Sequence, residues 1–311
     1  MLGPAEIREL LERHGLDARK SLGQNFVADP STVLRIARWA HVGPGDHVVE
    51  IGPGLGSLTL ALVDTGASVL AVEKDRTLVP LLGAVLDERG AASVEVLEAD
   101  AMTLDWQAEL AGRAERWTLA ANLPYNVAVP LIMAVLADAP IVDHLVVMVQ
   151  KEVADRLVAG PGGRVVGIPS MKVAWYASAE LLGVVPPEVF VPAPRVTSAV
   201  IGMTRRPPPS TTVAPGDVFP LVETAYRQRR KMLRSTLGRT VPASAFDAAG
   251  IEVTRRPEEL DIAAWTRLAE AIAADSTGSG PTGSGTTASG PTAPGPTAPG
   301  PGPGTPTEEE Q

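Results

Sequence analysis

None of the 311 residues is cysteine, so a disulfide framework and a thiolate metal site are both excluded. Histidine is scarce as well: four scattered residues, none at a His-Glu-x-x-His spacing, offer no ligand set, and no metal is expected. Aromatic residues are only 4% of the chain, which leaves few rings for stacking on a surface. No apolar run approaches the roughly 18 residues of a membrane span. The start, Met1 to Glu6, lacks a basic segment followed by an apolar one. The expectation is a cytoplasmic protein with no membrane partner and nothing demanding more than a monomer. An excess of positive charge is missing too, the formal net charge being -9. That argues mildly against a nucleic-acid partner, because phosphates are met by Lys and Arg. Three of the negative charges are Glu308, Glu309 and Glu310, however, and the positive ones are clustered.

What is present is ordinary for a globular protein, with 45% hydrophobic and 20% charged residues. From Ser276 onward the chain is almost entirely Ser, Thr, Gly, Pro and Ala, a composition that cannot bury a core, so 276–311 is expected to be a disordered tail. Upstream, short apolar runs at 47–51, 68–73, 93–97, 117–121 and 144–149 alternate with helical patterns. That alternation predicts an α/β fold, a parallel sheet with helices on both faces. A helix is expected at 164–176, then two strands at 179–185 and 197–204, close enough to pair antiparallel. The run Pro207-Pro208-Pro209 breaks the pattern. Beyond it, 220–237, 242–249 and 262–274 read as helices with no strands between them. The expected division is 1–205 for the sheet domain and 206–275 for a small all-α domain.

Two stretches carry chemistry. In Asn122-Leu123-Pro124-Tyr125, the Asn122 oxygen and the Leu123 carbonyl could each accept one hydrogen of an exocyclic amine. The Tyr125 ring could stack on the base, and Pro124 fixes the backbone between them. The amine of adenine is a poor nucleophile, its lone pair being delocalised into the ring, and such a grip would draw it out of conjugation. A strand ending in an ordinary turn fits the same residues. The second stretch, Glu50-Ile51-Gly52-Pro53-Gly54-Leu55-Gly56-Ser57, follows the first apolar run and opens a helix. Its glycines alternate, and Ser57 stands where the dinucleotide fingerprint needs its third glycine. Glu50 would sit badly beside a pyrophosphate and suits a cation, which favours S-adenosylmethionine, a sulfonium and ammonium compound without phosphate. Glu73 ends the second strand, placed to accept from ribose hydroxyls, and Asp100-Ala101 follows the third, placed for an adenine amine. Each carboxylate alone could be a solvated loop residue; their common register with the glycine loop points to a cofactor crevice.

With these residues the chain resembles the small-subunit ribosomal RNA adenine dimethyltransferases, the KsgA/RsmA family, over about 15–275. The resemblance rests on Lys20 to Phe26, Glu50 to Gly56, Glu73, Asp100 to Met102, Asn122 to Tyr125, Phe190 to Ser198 and Gln228 to Lys231. It implies a Rossmann-like class I methyltransferase sheet and methyl transfer from S-adenosylmethionine to N6 of two adjacent adenosines near the 3′ end of 16S rRNA, in the small subunit or its precursor. It also implies that Asn25 and Val27 close over the cofactor, that Gly52, Glu73, Asp100 and Asn122 contact or border it, and that Phe190 packs on the target base opposite Tyr125. Val27 stands where the family usually has Leu. Without the adjoining Pro192, Pro194 and Ser198 pattern, Phe190 reads as a core aromatic in a strand.

Transfer from a sulfonium is an in-line displacement that asks for alignment more than for a strong base. Asn122, Leu123, Pro124, Tyr125 and Phe190 are therefore the expected catalytic set. Asn25, Val27, Glu50, Gly52, Gly54, Gly56, Glu73, Asp100, Ala101 and Asn122 are the expected cofactor set. Arg227, Arg229, Arg230, Lys231, Arg234 and Arg239 place six positive charges in thirteen residues on an expected helix, with Arg195, Arg205 and Arg206 preceding it. The run could be a solvated face, but beside a catalytic module it favours phosphate contact. Arg195, Arg227, Arg229, Arg230, Lys231 and Arg234 are the expected RNA contacts. Two other readings stay open: a large-subunit adenine methyltransferase of the macrolide-resistance type, and a non-catalytic ribosome-assembly factor on the same fold.

Overall fold

The computed structural model describes residues 1–16 and 24–278. Lys20 to Gly23 of the first family motif, and 279–311 of the expected tail, lie outside the described residues.

Nine strands are described: β1 (Phe26–Val27), β2 (His47–Ile51), β3 (Ser68–Glu73), β4 (Val94–Glu98), β5 (Trp117–Asn122), β6 (Val142–Gln150), β7 (Ala177–Val185), β8 (Phe190–Val191) and β9 (Ser198–Arg205). Seven of them form one sheet in the order β4-β3-β2-β5-β6-β9-β7. The first five in that order run parallel, and β9 pairs antiparallel with both β6 and β7. The short strands β1 and β8 form a separate antiparallel ribbon in which Val27 faces Phe190. The chain leaves β2 for one side of the sheet and β5 for the other, so the carboxyl ends of this adjacent pair open a crevice at the switch in strand order.

The helices are α1 (Pro4–Arg13), α2 (Pro30–Trp39), α3 (Ser57–Val63), α4 (Val79–Glu88), α5 (Trp106–Leu110), α6 (Ala128–Asp138), α7 (Lys151–Leu157), α8 (Ile168–Tyr176), α9 (Pro215–Tyr226), α10 (Leu233–Thr236), α11 (Ala243–Ala248) and α12 (Ile262–Gly278). The parallel strands β2, β3 and β5 are buried on both faces, which is why they read as apolar runs, whereas the edge strand β4 is only partly buried. Val48, Val69, Ala120 and Val146 pack with Val33, Ile36, Leu58 and Leu62 of α2 and α3. Val49, Leu70, Leu119 and Val147 point the opposite way, into a cluster with Leu131, Ile132 and Val135 of α6. A further apolar cluster is built on α9, α11 and α12, and Val166 with Met171 and Trp175 of α8 belong to it. The helical region is thus rooted in a helix that precedes β7, and its packing crosses residue 206.

Several expectations need correction. The helix expected at 220–237 begins earlier, at Pro215, with Pro220 inside it, and stops at Tyr226. Gln228 to Lys231 form turns instead. The reason is tertiary: the N–H groups of Leu233 and Arg234 donate to the carbonyls of Arg255 and Val253 at 2.8 and 2.9 Å, which a continuing helix would forbid. The helix expected at 164–176 starts at Ile168, behind a Gly167 N–H that donates to Ser170 Oγ at 3.0 Å. Helix α7 was not anticipated. Residues 276–278, expected in the tail, extend α12, where the Ser276 hydroxyl donates to the Ile272 carbonyl at 2.9 Å.

Candidate active site

A cavity of about 260 Å³ opens at the carboxyl ends of β2, β3, β4 and β5. Glu50 near the end of β2, Gly52 and Gly54 from the loop after it, Glu73 ending β3, Asp100 and Ala101 after β4, and Asn122 and Pro124 at β5 all line it. Asn25 and Val27 of the β1 segment close one side. Gly54 adopts φ +58°, and a Cβ there would come within 2.9 Å of the Phe26 ring, so only glycine lets the loop pass under β1. Gly56 does not line the cavity. It takes φ +91° at the start of α3, where a Cβ would meet Leu82 at 2.9 Å, so its requirement is packing against α4.

Glu73 organises the loop from the neighbouring strand. Its Oε2 accepts from the Gly54 N–H at 3.1 Å and its Oε1 from the Asp75 N–H at 2.8 Å. Burial pushes its carboxyl above the usual range, and those two N–H donors oppose the shift. Glu50 is 2% exposed, and its Oε2 has no hydrogen-bond partner. Burial pushes it up to about 8; the nearby Thr59 hydroxyl opposes this and the charge of Glu73 adds to it. The Thr59 contact is not a well-formed hydrogen bond, because Thr59 Oγ1 is also buried without a partner. A buried carboxylate with an unmet oxygen beside a second acid is a poor host for an anion and a fit host for a cation. Asp100 lies in partial contact with solvent, with Lys74 Nζ at 2.6 Å and the Met102 N–H at 3.0 Å. The lysine beside it holds its carboxyl below the usual range.

On the other wall, Asn122 Nδ2 donates to the Asn25 carbonyl at 3.0 Å. A carbonyl only accepts, so the amide orientation is fixed and Oδ1 remains the acceptor. Leu123 buries its side chain, and its N–H donates to the Met148 carbonyl at 3.1 Å. Tyr125 is half-buried, with its hydroxyl 2.7 Å from Ser198 Oγ. Its pKa is raised by burial, against the effect of Ser198. Of the expected catalytic set, Asn122 and Pro124 line the cavity, whereas Leu123, Tyr125 and Phe190 do not. Phe190 is 3% exposed and packs with Val27, Val33, Met148 and Val185, the core placement that the residue alone also suggested. Asp75, Lys74 and Ser57 line the cavity and were missed. Asp75 could have been noticed two residues after Glu73, whereas Ser57 was read only as a displaced glycine.

Of the expected RNA contacts, Arg195, Arg227, Arg230, Lys231 and Arg234 are exposed. Arg229 is tied down: its guanidinium donates to Glu258 at 3.0 Å and to the Arg164 carbonyl at 2.9 Å. Arg205 is also engaged internally, with donors to the carbonyls of Leu136, Ala139 and Val142 at 2.9, 3.0 and 2.9 Å.

A parallel sheet with an antiparallel pair at one edge, carrying a phosphate-averse glycine loop at its switch point, defines a class I methyltransferase. S-adenosylmethionine is the methyl donor of this class. Residues 15–274 match the family model described as ribosomal RNA adenine dimethylase. Among curated relatives, the ribosomal RNA small subunit methyltransferase A of Kineococcus radiotolerans is 49% identical over 276 residues, covering 86% of this chain and 91% of that one. The protein of the same description from Cutibacterium acnes is 47% identical over 286 residues, covering 88% and 95%. Two solved structures are also similar. A dimethyladenosine transferase from Plasmodium falciparum has TM-score 0.66 at 21% identity, over 78% of this chain and 95% of that one. The 23S rRNA methyltransferase ErmE has TM-score 0.62 at 26% identity, over 80% and 100%. The chain belongs to the ribosomal RNA adenine dimethylase family.

Proposed function

We propose that this enzyme dimethylates N6 of two adjacent adenosines near the 3′ end of 16S rRNA, acting as a cytoplasmic monomer on the small subunit or its precursor. The observation that carries this reading is that one cavity joins the glycine loop and its acids to Asn122 and Pro124. Donor and amine sites therefore share a wall. Bound S-adenosylmethionine supplies a methyl group activated by a positively charged sulfur. Glu50 offsets the cationic part of the donor, Glu73 accepts from the ribose hydroxyls, and Asp100 with Ala101 borders the adenine. Asn25, Val27, Gly52 and Gly54 enclose it.

The Asn122 oxygen and the Leu123 carbonyl accept the two amine hydrogens, Pro124 holds them in register, and the Tyr125 ring stacks on the flipped base. Phe190 supports Val27 from behind and takes no direct grip on the base as packed. The proton leaves to solvent after transfer. Residues 1–205 form the catalytic domain and 206–275 the RNA-binding domain, with Arg195, Arg227, Arg230, Lys231 and Arg234 meeting phosphates. Arg229 is reassigned to holding that domain together. The small-subunit reading is favoured over the large-subunit one by the relatives at 47–49% identity against 26% for ErmE. The deciding experiment is labelled methyl transfer to small and large subunits, assembled and stripped, with mapping of the modified bases. Label on adjacent 16S adenosines is expected; label confined to the large subunit, or none, overturns the reading.

A further inference from the structure

Tyr125 stands in the loop between β5 and α6, outside any regular element. Its hydroxyl is 2.7 Å from Ser198 Oγ. Ser198 is fully buried at the start of β9 and is paired on both sides, with Gln150 of β6 and Val185 of β7. Immediately before it, the Thr197 carbonyl accepts from the Lys151 N–H at 2.9 Å. The serine oxygen therefore rides on backbone that cannot shift without breaking two ladders. A buried hydroxyl needs a partner, and here the partner is a loop tyrosine. Because a tyrosine oxygen lies on the long axis of its ring, a bond to it fixes where the ring is swung and leaves its spin unaffected.

We propose that Ser198 is a positioning residue for methyl transfer: its hydrogen bond to Tyr125 sets the ring on which the target adenine stacks, and so the approach of N6 to the donor. The inference rests on the stacking role assigned to Tyr125. A site built on a strand is held more closely than one on a loop, and this bond lends the loop the rigidity of the strand. The second transfer depends on it more than the first. A monomethylated amine has one hydrogen left for Asn122 and Leu123 to share, so its orientation relies more on the ring.

The test is single-turnover methylation of unmodified small subunits by Ser198→Ala, Ser198→Thr, Tyr125→Phe, Tyr125→Ala and the Ser198→Ala/Tyr125→Phe double variant. Cofactor affinity and melting temperature are measured alongside. We expect Ser198→Ala to be about tenfold slower at saturating subunit, as for loss of one neutral hydrogen bond at an aligned site. Cofactor affinity should be unchanged and monomethyladenosine should accumulate. Ser198→Thr, which keeps the hydroxyl, should restore most of the rate. The double variant should be no slower than Tyr125→Phe alone, because the two groups act through one bond. A wild-type rate for Ser198→Ala while Tyr125→Ala is impaired overturns the inference and leaves the stacking role standing. Effects that multiply in the double variant also overturn it. A wild-type rate for Tyr125→Ala instead removes the stacking role itself.

Discussion

The two halves of the molecule carry opposite electrostatic problems. At the ends of β2 and β3 two carboxylates are buried at 2% and 6% exposure, one of them with an unmet oxygen. In the turn after α9 the cations Arg227, Arg230 and Lys231 are exposed. Under the proposed function, the difference sorts the two ligands. A buried acid answers a compact cation in a pocket that salt barely screens, while exposed cations answer a polyanion that salt displaces. The acidic net charge of the chain hides this division, because it averages over both.

Variants that separate the halves should sharpen the contrast. The largest effect is expected at their junction: Asn122→Ala removes the one acceptor whose orientation is fixed by the Asn25 carbonyl. Methylation should fall by about a hundredfold or more, on the scale of losing one preorganised polar group at a reacting centre. Cofactor affinity, measured by calorimetry, should change only a few-fold. A wild-type rate for Asn122→Ala would remove the amine site from these residues.

Next comes the buried acid. Its folded pKa of about 8 lies above its ordinary value of 4.5, so folding favours the neutral carboxyl. The cofactor-free protein should therefore lose stability as pH rises through the interval from 4.5 to about 8, where the unfolded chain ionises first. A cationic donor favours the ionised form, so cofactor affinity should rise over the upper part of that interval. Melting curves and binding titrations of Glu50→Gln should be flatter against pH than those of the wild type. Parallel pH profiles would show that another group titrates.

On the basic side, replacing Arg230 and Lys231 together by Ala should lower the slope of log affinity for RNA against log salt by about 1.4 to 1.8, if each meets one phosphate. The donor affinity should stay constant, and an unchanged slope would place RNA elsewhere. The smallest effect belongs to Arg229→Ala, because this guanidinium is already engaged by Glu258 and by the Arg164 carbonyl. Its loss should lower the melting temperature by about a few degrees and leave the salt slope alone.

The sheet was legible because both faces of its central parallel strands are buried, so 47–51 and 68–73 are mostly apolar runs with the bounds the structure gives them. The cavity was legible for a related reason: strand ends bring Glu50, Glu73, Asp100 and Asn122 to one edge whatever the loops do. The turn at 227–232 was not. Its residues have good helical propensity, and what ends α9 is backbone pairing of Leu233 and Arg234 with a segment some twenty residues on. Nor could spacing show that Arg229 differs from Arg230, since what separates them is contact with Glu258 and the Arg164 carbonyl. The β1–β8 ribbon is two residues long on each side, too short for any period to register, yet it decides that Phe190 is packed inside.

The Arg205 guanidinium grips carbonyls at the end of α6 and the start of β6, at the point where the chain leaves β9. The next residue donates its N–H to the Tyr176 carbonyl at 3.0 Å, and α8 belongs to the core of the helical region. The exit from β9 is therefore pinned on two sides, to the end of α6 through the Arg205 side chain and to the end of α8 through the Arg206 backbone.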